Sequence, residues 1–181
     1  MTIIFANHLD DDCSTIASLW QNFTDYRLIE ILPDTRDADY LVDKAIEQED
    51  DTLILIGHGT THGLLHPNFR GEYLIHENNV NLIHANRVIC MWCHASTFCD
   101  NNGLHCFASS MFISNIQEAY DNCIYESSQE EINSCGRFFY AQLADLIADR
   151  IPMQDWIMRL GCAMDTENPV DVFNRQGLWY N

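Results

Sequence analysis

Two short stretches of the 181-residue chain place groups capable of nucleophilic chemistry where apolar segments end. In LILIGHGTTHGLLHPN, residues 53–68, four apolar residues run into Gly57-His58-Gly59, and in RVICMWCHAST, residues 87–97, an apolar run ends at Cys93-His94. A free thiol has a pKa of about 8.5 and is mostly protonated at neutral pH. A neighbouring imidazole raises its thiolate fraction or takes its proton during attack. The glycine after His58 frees a backbone N–H to approach a developing oxyanion, and glycine tolerates φ values that larger residues resist. Alone, a histidine beside glycines reads as a turn residue and a cysteine ending an apolar strand as core. Two such residues ending successive strands of one sheet point instead to acyl transfer on a thiol.

The elements that must position them follow from hydrophobic periodicity. Residues 2–7 read as a first strand, 26–32 as a second, 52–57 as a third, 87–93 as a fourth and 110–115 as a fifth. Between them, DDDCSTIASLWQNF (10–23) carries capping residues and then Ile16, Leu19, Trp20 and Phe23 at helical spacing. Residues 37–50 form a second amphipathic helix, 63–76 a small hairpin or irregular excursion, and 80–86 a short helix. After the fifth strand the pattern is helical, through 130–150 and 152–164, with Pro152 where a first turn tolerates it. Strands alternating with helices predict one α/β domain over 1–181, with a mostly parallel sheet covered by helices on both faces. Functional groups of such sheets gather at the carboxyl ends of the strands. Asp10-Asp11-Asp12, Gly57-His58-Gly59 and Cys93-His94 all fall there, and neighbouring strands lie about 5 Å apart.

A net charge of −18, with Lys44 the only lysine, excludes broad electrostatic binding to nucleic acid and favours basic peptides or proteins as partners. No stretch approaches the length of a membrane span, and the amino-terminal apolar run is too short for a signal peptide. A soluble, cytoplasmic protein is expected, its eight cysteines reduced. Cys123, Cys135 and Cys162 are expected in the core.

The two stretches resemble the caspase-like cysteine peptidases, the superfamily of caspases, metacaspases, gingipain- and clostripain-like enzymes and CHAT domains. LILIGHG is similar to their strand ending in His-Gly, and NLIHANRVICMWCHAS to their later strand ending in the nucleophilic cysteine. SSMFISNIQEAYD and RFFYAQLADLIADRIPMQDWIMRL are similar to the regions that follow. The resemblance spans residues 52–164 and implies a three-layer caspase-like fold. It implies Cys93 as nucleophile, His58 as acid and base, and the backbone N–H of Gly59, with that of Cys93, as oxyanion hole. Ala95-Ser96 departs from the family's usual continuation after the cysteine. The same resemblance places Asp10, Asp11, Asp12, Met91, Ser114 and Asn115 at the first specificity pocket. A desolvated aspartate there would select Arg or Lys in a protein or peptide substrate through a charge-assisted hydrogen bond. Neither a metal nor an organic cofactor is needed for this chemistry.

Two other readings stay open. The same domain without activity would be a caspase-like interaction module. Cys90, Cys93, Cys99 and Cys106, with His94 and His105, would supply the tetrahedral ligands of a zinc-binding module. Against the second stands the odd offset of Cys90 and Cys93, which points strand side chains to opposite faces.

Overall fold

The computed structural model describes residues 1–49, 51–68 and 70–181. The chain divides into two compact units, one made of Met1–Leu9, Asp25–Ser110 and Trp179–Asn181, the other of Asp10–Thr24 and Met111–Leu178.

The first unit holds β1 (Thr2–Ala6), β2 (Arg27–Ile31), α1 (Ala38–Gln48) and β3 (Thr52–Gly57). There follow β4 (Gly59–Thr60), β5 (Gly63–Leu65), β6 (Tyr73–Ile75), β7 (Arg87–Met91), α2 (Ala95–Asn102), β8 (Phe107–Ser109) and β9 (Leu178–Tyr180). Six strands form a sheet in the order β2-β1-β3-β7-β8-β9, parallel from β2 through β8. This is the three-layer α/β class that the sequence predicts. The apolar runs of β1, β3 and β7 are continuous because both of their faces are buried, as parallel strands require. On one face Ile4, Leu55 and Cys90 pack in a cluster with Val42 and Ile46 of α1 and Phe98 of α2. On the other, Ile3, Ile54, Ile56, Ile89 and Phe107 are fully buried. The excursion after His58 is a three-stranded antiparallel sheet, β4-β5-β6. The helix expected over 37–50 ends at Gln48, with Asp50 outside the described residues. Phe69, within the expected excursion, also lies outside them.

In the second unit the helix expected over 10–23 is a 3₁₀ helix, Asp12–Leu19. Its backbone bonds close over three residues, as from the Ser14 N–H to the Asp11 carbonyl at 3.1 Å. Asp, Ser and Thr in this stretch hydrogen-bond locally and lower the advantage of the α-form. The unit continues with α3 (Ile116–Asp121), α4 (Gln129–Ala148), α5 (Trp156–Ala163) and α6 (Pro169–Gln176). The 3₁₀ helix packs on α4 at Gly136, where a Cβ would sit 3.1 Å from the Thr15 hydroxyl. Phe112, Phe139 and Tyr140 form an aromatic core with centroid separations of 4.9–5.7 Å. Asn168 caps α6, its side chain accepting from the N–H groups of Val170 and Asp171.

The fifth strand expected over 110–115 is absent, and β8 lies earlier in the chain, at Phe107–Ser109. The backbone of 113–114 is satisfied by side chains instead of a ladder. The buried Asn174 amide accepts from the Ile113 N–H at 2.7 Å and donates to its carbonyl at 3.3 Å, while Glu118 accepts from the Ser114 N–H at 2.8 Å. Of the three cysteines expected in the core, Cys135 is buried, but Cys123 and Cys162 are exposed. Cys123 sits at φ +63° in the turn after α3, and Cys162 lies on the open side of α5. Among the described residues no helix is long and apolar enough to cross a membrane.

Two stability outcomes follow. Asn174→Ala orphans two buried backbone groups and should cost roughly 2–4 kcal/mol in urea unfolding, well above an exposed-site control such as Asn22→Ala. Ser128 and Glu131 form a complete capping box at the start of α4, so Ser128→Ala should cost about 1 kcal/mol. The backbone N–H and hydroxyl of Ser128 hold the Glu131 carboxyl below its ordinary 4.5. Its contribution is therefore present above pH 4.5 and lost as pH falls through the lower folded value. The gap between wild type and Ser128→Ala should narrow on acidification, and a gap that widens would contradict the cap.

Candidate active site

β3 and β7 are adjacent and parallel, and their ladder pairs Ile56 with Met91. His58 and Cys93 each stand two residues beyond that pair, so both leave the sheet at the same carboxyl edge. The strand assigned to 87–93 ends at Met91, and Cys93 occupies the turn before α2. Cys93 is half-buried and outside any disulfide, and His58 is half-buried in the link from β3 to β4.

The turn carrying Cys93 is fixed from both sides. The Trp92 indole N–H donates to the Thr60 carbonyl at 3.2 Å. The Trp92 carbonyl accepts from the Ser109 hydroxyl at 2.9 Å and from the Ala95 N–H at 3.1 Å. The His94 N–H donates to the Ser110 carbonyl, and the hydroxyls of Ser96 and Ser110 bond at 2.7 Å. His94 itself is left-handed, at φ +67° and ψ +20°, a conformation costing a non-glycine residue about 1–2 kcal/mol. Such strain persists where the surroundings over-determine it.

Two glycines are demanded by this packing. Gly57 has φ +148°, and a Cβ there would lie 2.7 Å from the Ala6 carbonyl. Gly59 does not have a positive φ. It is small because a Cβ would strike the Trp92 ring and approach the Gly63 carbonyl to 2.6 Å. Close approach of Trp92, rather than the conformational freedom expected from the sequence, accounts for Gly59. Met91 is only 3% exposed and packs within the sheet.

One residue at this edge escaped the sequence reading. His8 follows β1, the other neighbour of β3, where Ala6 pairs with Gly57. It is buried, its Nδ1 is 3.2 Å from the Ala6 carbonyl oxygen, and its ring meets that of His58 edge-on, with centroids 4.7 Å apart. The only signal was a histidine two residues after an apolar strand, masked by the three aspartates that follow.

The other specificity candidates belong to the second unit. Asp10 accepts from the Cys13 N–H at 3.1 Å at the start of the 3₁₀ helix, while Asp11 holds the N-cap position without a side-chain cap bond. Asp12 accepts from the Asn115 amide at 2.9 Å. Asn115 caps α3 through the Glu118 N–H, and the Ser114 hydroxyl donates to Glu118 at 3.0 Å. Asp12, Ser114 and Asn115 thus join with Glu118, which the sequence reading missed, in one hydrogen-bonded group.

The cysteine and histidine residues considered for zinc separate. Cys90, Cys99 and Cys106 converge, and Cys93, His94 and His105 are not among that group. His105 instead meets Tyr180, its Nε2 3.2 Å from the phenol oxygen. No family model matches the chain, and neither the curated proteins nor the solved structures contain a match to it.

The backbone at residue 94 is open to direct test. His94→Gly should be more stable than His94→Ala by about 1 kcal/mol, the reverse of the order on an ordinary helix. Thermal unfolding of the two variants measures the difference, and equal stabilities would contradict the left-handed assignment.

Proposed function

We propose that the protein is a cysteine endopeptidase of the caspase-like class, acting through a His58–Cys93 dyad. The observation that carries this reading is the matched position of the two residues, each two beyond the Ile56–Met91 pair of adjacent parallel strands. His58 takes the proton of the Cys93 thiol as sulfur attacks the scissile carbonyl carbon. The oxyanion of the tetrahedral intermediate is stabilised by the N–H groups of Gly59 and Cys93. His58 then protonates the departing amine, leaving a thioester on Cys93. A water molecule, deprotonated by His58, hydrolyses the thioester and regenerates the thiol. The hydrogen bonds holding Trp92 and His94 support this reading, because a nucleophile held in place avoids reorganisation during attack.

The substrate we assign is a protein or peptide with Arg or Lys before the scissile bond. The overall charge of −18 favours basic substrates. The chemistry requires neither metal nor organic cofactor, and the reading places the enzyme in the cytoplasm.

Fluorogenic peptides carrying Arg, Lys, Asp, Asn or Leu before the scissile bond test it, under reducing conditions and with and without calcium. Wild type should cleave after Arg or Lys. Cys93→Ala should abolish turnover, and His58→Ala should lower kcat by about 10²–10⁴-fold. Turnover surviving in Cys93→Ala, or none from wild type on any peptide, sinks the peptidase reading. Cleavage confined to Asp sinks the basic pocket alone.

A further inference from the structure

Away from the dyad, the first unit gathers three thiols from three elements. Cys90 lies on β7, Cys99 on α2, and Cys106 immediately before β8. Each is completely buried, and their sulfur atoms lie within 4.8 Å of one another. The strand register explains two of them. Cys90 pairs with Ala108 of β8, and Cys106, two residues earlier, shares the Ala108 face. α2 covers that face and contributes Cys99 beside Phe98. The Cys106 N–H is held by the Asn181 side chain at 2.9 Å, and Leu104 accepts from the N–H₂ of the same amide at 3.3 Å.

Buried cysteines commonly serve as small apolar residues, and Cys135 is accounted for in that way. Three sulfurs converging on one point are different, because each removes apolar contact from the other two. Three sulfurs held this close make, once deprotonated, a soft, anionic donor set for one metal ion. With metal–sulfur bonds of about 2.3 Å, three sulfurs around one ion stand roughly 4 Å apart, so closure needs only a small contraction. Thiolate sulfur selects Zn²⁺ or Cu⁺ over the hard cations.

We propose that Cys90, Cys99 and Cys106 form a buried structural site for one soft, thiophilic d¹⁰ metal ion, Zn²⁺ or Cu⁺, bound as the chain folds. Coordination as three thiolates displaces the protons still held by the thiols into solvent, without change of oxidation state. The site is closed to substrate and independent of the dyad: Cys93 is not a ligand. Metal that binds the folded chain raises its stability by mass action.

The test uses the full chain, reduced and stripped of metal, then loaded separately with Zn²⁺ and with Cu⁺ and desalted against a weak chelator. Metal per chain is read by plasma mass spectrometry and ligation by X-ray absorption. One ion per chain on three sulfurs at about 2.2–2.3 Å is expected in wild type and equally in Cys93→Ala. Cys99→Ser and Cys90→Ser should each lower retention at least tenfold, and the arm that retains metal identifies the ion. The absorption measurement on wild type stands even where a serine variant fails to fold. Neither ion retained by folded wild type, fewer than three sulfur neighbours, or a disulfide among the three cysteines under reducing conditions overturns the proposal. Peptide hydrolysis by wild type is scored separately, so loss of the metal site leaves the dyad untouched, and the converse.

Discussion

The backbone ladder that holds β1, β3 and β7 parallel is the constraint from which the candidate site follows. Because side chains alternate faces with a period of two, a slip of one residue would exchange the two buried faces of a strand. Here neither face tolerates exchange. Cys90 and Leu55 pack beneath α1 and α2, while Ile54, Ile56 and Ile89 are buried opposite. The register therefore fixes which residues stand beyond the last paired positions. Those residues are His8, His58 and Cys93, three groups able to exchange protons or attack carbon, delivered to one edge by three neighbouring strands.

A fixed ladder does not by itself hold a side chain that lies past its end. That falls to Trp92, whose indole spans to Thr60 and whose ring excludes any side chain at position 59. The same residue's carbonyl receives the Ser109 hydroxyl from β8. Cys93 is thus set between an anchored residue and a left-handed one, and the strain at His94 is offset by bonds to Ser110 and within α2. Apolar packing and polar satisfaction meet in three residues, which is why the turn is rigid without being part of the sheet.

The parts of this arrangement visible in the sequence were those encoded by local pattern. Thr52–Gly57 was legible to the residue, because an unbroken apolar run bounded by Asp and Gly has few alternatives. α4 was legible through the helical pattern of 130–150, though its capping serine, Ser128, was not. The missing strand at 110–115 was not, because SMFISN has the composition of a strand and the decisive partner, Asn174, lies 61 residues away. A side-chain amide that replaces a neighbouring strand leaves no periodic trace. The dyad candidates could be read from strand ends, whereas His8 required knowing that β1 borders β3. Likewise the thiols of Cys90, Cys99 and Cys106 were noticed as a cluster in sequence, but which of the nearby cysteines converge depended on the pleat of β7 and the covering helix. The 3₁₀ form of 12–19 was hidden because apolar spacing barely distinguishes it from an α-helix over two turns.

The sheet of the first unit closes with β9, which follows some seventy residues assigned to the other unit. Asn181 reaches back to Leu104 and Cys106, so the neighbourhood of the three thiols stays unsealed until those residues have left the ribosome. On a chain made from its amino terminus, this outer strand is made after every other strand of its sheet. The order of synthesis thereby sets an order of closure, because the amide that holds residues 104 and 106 is made after the residues of the second unit.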